Sequence, residues 1–245
     1  MEIKNSNETR LVNTKPIALK RNPWRYDGII TQPHLLTAPP AAEFEAVKDI
    51  LHHDMVAEYD GRRFAEYLRG VNIELNPEFS DVLNVWADDE DNHYKGFKLL
   101  NEQVFGLTPD ELVESNNRVA NFAPLTHLLE DEFSILVLSA YDELVTVKGY
   151  QANMPMYRKF GPQFESFVTQ VIKDEGWHYS KFLAMIKRYN AHRVGDTASV
   201  VAKIRAAENI PYQNTFIMDH TAVEGFFTTT MFDEAATGVV RALGN

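Results

Sequence analysis

The sequence contains no cysteine. That removes disulfides, thiolate zinc sites, Cys-ligated iron–sulfur clusters and thiol nucleophiles together. It is short of positive charge: 24 Lys and Arg stand against 35 Asp and Glu, a net charge of −11. Phosphate backbones and anionic membranes are poor partners for such a chain. Nor is there a long hydrophobic run. The longest apolar stretch, Phe133–Ala140, falls far short of the ~20 residues that span a bilayer. Met1–Arg10 is polar and holds no signal-peptide core. Strand-like alternation is scarce as well. These absences leave a cytoplasmic protein with no nucleic-acid or membrane partner. Its 245 residues suffice to bury a core without covalent staples.

What is present is helical periodicity. Residues 1–41 read as an irregular arm. Pro16, Pro23, Pro33, Pro39 and Pro40 forbid a long helix there, and Trp24, Ile29, Ile30, Leu35 and Leu36 are available to pin the arm to the body. From Ala42 onward, apolar residues recur three and four apart. This spacing predicts long helices over about 42–69, 77–104, 126–151 and 162–189. Gly70 stops the first, the second begins after Asn76-Pro77 with Ser80 as a candidate cap, and Met154-Pro155 breaks the third. Thr108-Pro109 opens a short helix, and two more are expected over 198–209 and 221–243. The expected fold class is all-α. One domain over 42–190 holds the four long helices, and accessory helices over 191–245 pack on it.

Each long apolar stripe carries an anomaly, an acid and twice a histidine where a core helix should show Leu. A buried carboxylate is costly unless paired or metal-bound. Asp89-Glu90-Asp91-Asn92-His93-Tyr94 and Asp174-Glu175-Gly176-Trp177-His178-Tyr179 share the pattern D-E-x-x-H-Y, 85 residues apart. Glu58 lies 32 residues before Glu90, and Glu143 lies 32 before Glu175. Two helix pairs are thus related by a pseudo-two-fold. Glu66 and Asp54 are near Glu58, but only Glu58 keeps the repeat. Residues i and i+3 share a helix face, so each E-x-x-H presents an oxygen and a nitrogen inward, and Glu58 and Glu143 add one carboxylate each. A lone E-x-x-H is weak, since this composition yields about 0.65 per chain by chance. Four Glu and two His at repeated offsets match the ligand set of carboxylate-bridged two-metal helix bundles. Hard oxygens and imidazoles without sulfur suit iron or manganese better than copper.

At these residues the chain resembles the soluble di-iron acyl-carrier-protein desaturases of the ferritin-like superfamily. Trp86-Ala87-Asp88-Asp89-Glu90-Asp91-Asn92-His93 is similar to their W-x-x-x-E-x-x-H. Ala140-Tyr141-Asp142-Glu143-Leu144-Val145-Thr146 is similar to A-F-x-E-x-x-T, and Asp174-Glu175-Gly176-Trp177-His178 to D-E-x-R-H. The resemblance covers about residues 50–190. It implies a ferritin-like four-helix bundle with Glu58, Glu90, His93, Glu143, Glu175 and His178 as ligands of two irons, Glu90 and Glu175 bridging. It also implies that Thr146 supplies a hydroxyl beside the oxygen-binding face, and that Asp174 holds a ligand histidine. The repeat extends the latter role to Asp89 for the other histidine. Tyr94 and Tyr179, one turn from the bridging acids, would cap a hydrogen-bond network.

The expected function is therefore an O₂-dependent non-heme di-iron oxidoreductase. It would act by C–H abstraction on an apolar, acyl-type substrate, either a small molecule or carrier-bound. Nothing signals a flavin, haem or nicotinamide site, so a ferredoxin-type donor is the implied electron source, and a homodimer is expected. The rivals are a di-iron hydroxylase or N-oxygenase of a small metabolite, and a ferroxidase or other iron-handling protein.

Overall fold

The computed structural model describes residues 17, 23–208, 210, 216–218, 220 and 225–244. Most of the first half of the expected arm, Asn209 and 221–224 lie outside the described residues, and the last helix, expected from Thr221, begins only at Thr229, with 225–228 outside it. Among the described residues the regular elements are all helical. They are α1 (Tyr26–Ile29), α2 (Phe44–Gly70), α3 (Pro77–Val104), α4 (Pro109–Asn117), α5 (Glu132–Tyr157), α6 (Pro162–Tyr189), α7 (Thr197–Ala207) and α8 (Thr229–Gly244).

Local chemistry sets most boundaries. The Asn76 side chain accepts a hydrogen bond from the Glu78 amide at 2.9 Å and precedes Pro77 at the first helical position of α3. Thr108 and Glu111 form a reciprocal capping box on α4. Gly161, at φ 100°, turns the chain into Pro162 of α6.

The helix expected over 126–151 is displaced. Thr126 lies in a 3₁₀ turn, Ala123–Leu128, and the true cap is Asp131, whose side chain accepts from the Ser134 amide at 2.8 Å. At the other end, Met154-Pro155 does not break the helix. Pro155 falls in its last turn, where its missing N–H forfeits only one backbone bond, and the Arg158 amide closes the end on the Met154 carbonyl.

The four long helices pair, α2 along α3 and α5 along α6, with α3 meeting α6 between the pairs. The accessory helices α7 and α8 pack on α5 and on each other. In the arm, Ile30 is buried, Trp24, Ile29 and Leu36 are partly buried, and Leu35 is exposed. Leu35 therefore does not help to pin the arm.

The apolar interior is divided. One cluster contains Ala65, Trp86, Ala140 and Phe182; the other contains Met55, Phe97, Tyr150 and Val171. On every long helix the acid of the repeat falls at the join. Glu58 lies between Met55 and Ala65, Glu90 between Trp86 and Phe97, Glu143 between Ala140 and Tyr150, and Glu175 between Val171 and Phe182. The core is thus two hydrophobic plugs separated by a charged layer.

Candidate metal centre

All six expected ligands converge in that layer, and none is more than 4% exposed. Their donor atoms form two groups that could each hold a metal ion: Glu58, Glu90, His93 and Glu175, and Glu90, Glu143, Glu175 and His178. Glu90 and Glu175 belong to both. Within each group the ligand atoms lie within 4.8 Å of one another. His93 Nδ1 is 3.2 Å from Glu58 Oε2 and 3.2 Å from Glu175 Oε1. His178 Nδ1 is 3.0 Å from Glu175 Oε2, and 3.5 Å from both Glu90 Oε1 and Glu143 Oε2. The choice among acids on α2 is settled by position: Glu66 pairs with Arg62 at the surface, whereas Glu58 faces the cluster. Gly61, one turn beyond Glu58, makes room for the cluster, since a Cβ there would stand 3.0 Å from Glu90 Cγ.

The acids behind the histidines are where the repeat puts them, with the pairs crossed. Asp174 Oδ2 on α6 lies 3.1 Å from His93 Nε2 on α3. Asp89 Oδ2 on α3 lies 3.2 Å from His178 Nε2 on α6. Each Nε2–H donated to an acid turns the Nδ1 lone pair toward the carboxylates, the orientation that metal ligation requires. The Trp24 indole N–H also donates to Asp174 Oδ2, at 2.8 Å, and its ring stacks on His93 with centroids 5.9 Å apart. The arm thereby braces one of the candidate ligands.

Tyr94 packs on Tyr59, with ring centroids 4.9 Å apart, and Tyr179 packs half-buried against one apolar cluster. Tyr150 donates its hydroxyl hydrogen bond to Glu58 Oε1, and Tyr157 donates to the buried Asp54 at 2.8 Å. Tyr150 lies seven residues beyond Glu143, on the same stripe of α5, and that spacing is the signal that could have found it. Trp24 had no such signal, because it reaches the site from an aperiodic segment.

Electrostatics inside the layer are extreme. Burial, then repulsion from Glu175, Glu58 and Glu143, pushes Glu90 well above the usual carboxylate range. Burial also raises Glu143 well above it, against the pull of His178. For Glu175 the balance reverses: burial is overridden by His93 and by the hydrogen bond from His178, which hold it below its usual value. Burial disfavours charge on the imidazoles. Even so, Glu175 and Glu58 raise His93 to about 9, and Glu143 and Asp89 raise His178 well above its ordinary value. The cluster balances its negative charge with protons, which entering cations would displace.

The donor set fits a pair of hard cations. Glu90 Oε1 and Glu175 Oε1 are buried and accept no hydrogen bond of good geometry, an expensive state for a carboxylate oxygen. They are the two acids common to both groups, and a shared cation contact would satisfy each of them.

A cavity of about 40 Å³ lies against Glu58, Glu90, Glu143 and Glu175. Thr146, one turn beyond Glu143, is in its wall, and Phe226 and Phe227 close one side. His220, in the connection between α7 and α8, lines it too. Its Nδ1 is 3.0 Å from Glu208 Oε2, and its Nε2 is 3.3 Å from Asp142 Oδ1. Burial opposes its charge, but Glu208 and Asp142 raise it to about 10. A histidine raised in the folded state stabilises fully below its unfolded value near 6.5 and loses that contribution as pH climbs through the folded value. The protein should therefore lose stability between pH 7 and pH 10. Chemical denaturation should show a fall on the order of 2 kcal/mol smaller for His220→Gln over that interval.

Compared with protein-family models, curated proteins and solved structures, the chain matches none.

Proposed function

We propose that this protein is an O₂-dependent non-heme di-iron oxidoreductase with a ferritin-like bundle core, desaturase-like in its ligand arrangement. The observation that carries the reading is the membership of Glu90 and Glu175 in both buried ligand groups, with one oxygen of each left without a hydrogen bond of good geometry. Glu58, His93, Glu143 and His178 would complete the two sites. Iron bound there would supply dioxygen reduction coupled to oxidation of a C–H or N–H bond; manganese fits the same donors.

The chain's own groups account for the rest. Asp174 and Asp89 hold the imidazoles with Nδ1 inward. Tyr150 fixes Glu58 through its hydroxyl. Phe226 and Phe227 keep bulk water from the carboxylate face. Thr146 places a hydroxyl in the cavity wall, where it can donate a hydrogen bond to an oxygen atom beside Glu143. Reducing dioxygen to water takes four electrons. Oxidation of one C–H or N–H site supplies two, so a ferredoxin-type donor would supply the other two.

A second reading, hydroxylation or N-oxygenation of a small metabolite with the same metals, is favoured by one dimension. About 40 Å³ beside the carboxylates holds dioxygen or one or two waters, not a long acyl chain.

The test is metal analysis and oxygen uptake. Protein from iron-supplied cells is expected to carry about two irons per chain and, once reduced, to consume dioxygen. Glu90→Ala and His178→Ala, still helical by circular dichroism, are expected to lose both properties. Unchanged metal content in these two variants would reject the proposal.

A further inference from the structure

A wide cleft lies next to the metal layer. It has a volume of about 1080 Å³ and opens between α2, the C-terminal end of α3 and α4. Ser115 on α4 faces His52 on α2 across it, Oγ to Nε2 at 3.3 Å. Among the described residues, His53 is the one that lines both this cleft and the small cavity beside the carboxylates. His53 and Ala57 are four apart on α2 and share a face. Ala57 lines the cavity and adjoins Glu58.

We propose that this cleft is the substrate site, that His53 is the gate from it to the metal layer, and that the substrate is a polar small molecule bearing groups of both charge signs. The inference rests on the reading under Proposed function and adds the substrate class and its route.

Size comes first. The small cavity cannot admit an organic substrate whole, so only its reacting end can approach the carboxylates, and its body must lie outside. The cleft has about the volume of a small-molecule site and shares His53 with the wall of the cavity. Chemistry comes second. The cleft wall offers Lys48 and Arg118 against Asp49, Glu111 and Glu114, with Phe105 and Leu107 in its apolar portion. Arg118 is held in place by buried Asp60, which also binds Arg63 at 3.0 Å. A fatty acyl chain laid here would strip water from these charges and return no hydrogen bond, which is costly. A polar molecule with donors and acceptors replaces that water one for one. Charge complementarity of mixed sign also selects against purely anionic chains.

The chain has no cysteine, so a single introduced thiol reports access without background. Ala57→Cys places one in the cavity wall. Metal-free protein is treated with methanethiosulfonates carrying a methyl, a trimethylammonioethyl, a sulfonatoethyl or a decyl group, and modification is followed by mass spectrometry. The methyl reagent is expected to react, and adding His53→Trp should slow it about tenfold or more by filling the passage. Ser115→Trp, which narrows the cleft from α4, should slow it likewise, so a misfolded first variant does not decide the matter. A Lys203→Cys surface thiol should be insensitive to both. The two charged reagents should react faster than the decyl one. An Ala57→Cys thiol that does not react, or one indifferent to both tryptophans, would overturn the route. A decyl reagent that outpaces the charged pair would overturn the substrate class. Because the measurement needs no metal, it fails independently of metal analysis.

Discussion

Chelating the metal should lower the unfolding temperature by on the order of 10 °C, and Glu175→Ala should abolish that metal dependence. A ligand present at a thousandfold its dissociation constant stabilises the fold by about 4 kcal/mol. Each kcal/mol moves the midpoint of a chain this long by roughly 2–4 °C. Glu175 is the residue to remove because it approaches both imidazoles, 3.2 Å from His93 Nδ1 and 3.0 Å from His178 Nδ1. It also belongs to both ligand groups, so its loss weakens two sites at once. The metal-free variant should be less stable than metal-free wild type as well, since two buried imidazoles lose a counter-charge they share. Differential scanning calorimetry with and without chelator provides the comparison. A Glu175→Ala protein that keeps the full metal-dependent shift would show that the cations are held elsewhere.

Gly96→Ala should cost about 2–3 kcal/mol, a large effect for one methyl group. Gly96 is on the face of α3 that meets α6. A Cβ there would fall 2.1 Å from Cε2 and 2.2 Å from Cζ of Phe167. The ring has no room to retreat. It is fully buried, with Phe97, Phe164 and Trp24 at centroid distances of 5.3, 5.4 and 5.8 Å. Urea unfolding measures the loss, and Phe167→Leu in the same chain should return much of it, a clear departure from additivity. The damage should reach the metal layer. Phe167 backs Trp24, whose indole hydrogen bond braces Asp174 behind His93. Metal affinity should therefore fall together with stability. Additive costs in the double variant would mean that the two residues do not meet as described.

Much of this architecture was readable from spacing alone. α2, α3 and α6 are amphipathic helices with chemical punctuation: Gly70, Asn76-Pro77 and Gly161-Pro162 stand at or beside their ends. The six candidate ligands were readable because acids on apolar stripes violate the pattern around them, and the violation repeats. Spacing alone misplaces α5 for a physical reason. Every residue from Phe133 to Glu143 is buried, so its sequence has no polar face to define a period, and its N-terminal boundary rests on the Asp131 cap alone. Trp24, His220 and the cleft at His53 were out of reach, because tertiary packing gathers them from segments far apart in the chain. Of the hydroxyl groups, Thr146 lines the cavity, and Tyr150 donates to Glu58.

The crossed bracing of the two histidines has a consequence for where such a chain comes from. α2 with α3 carries His93 but not its supporting acid, and α5 with α6 carries His178 but not its own. Neither half-length unit can orient its imidazole alone; each needs another copy to lend Asp89 or Asp174. A progenitor consisting of one such unit would have both imidazoles braced only as a self-complementary pair. Tandem duplication and fusion would then have made permanent, within one polypeptide, an exchange that began between two.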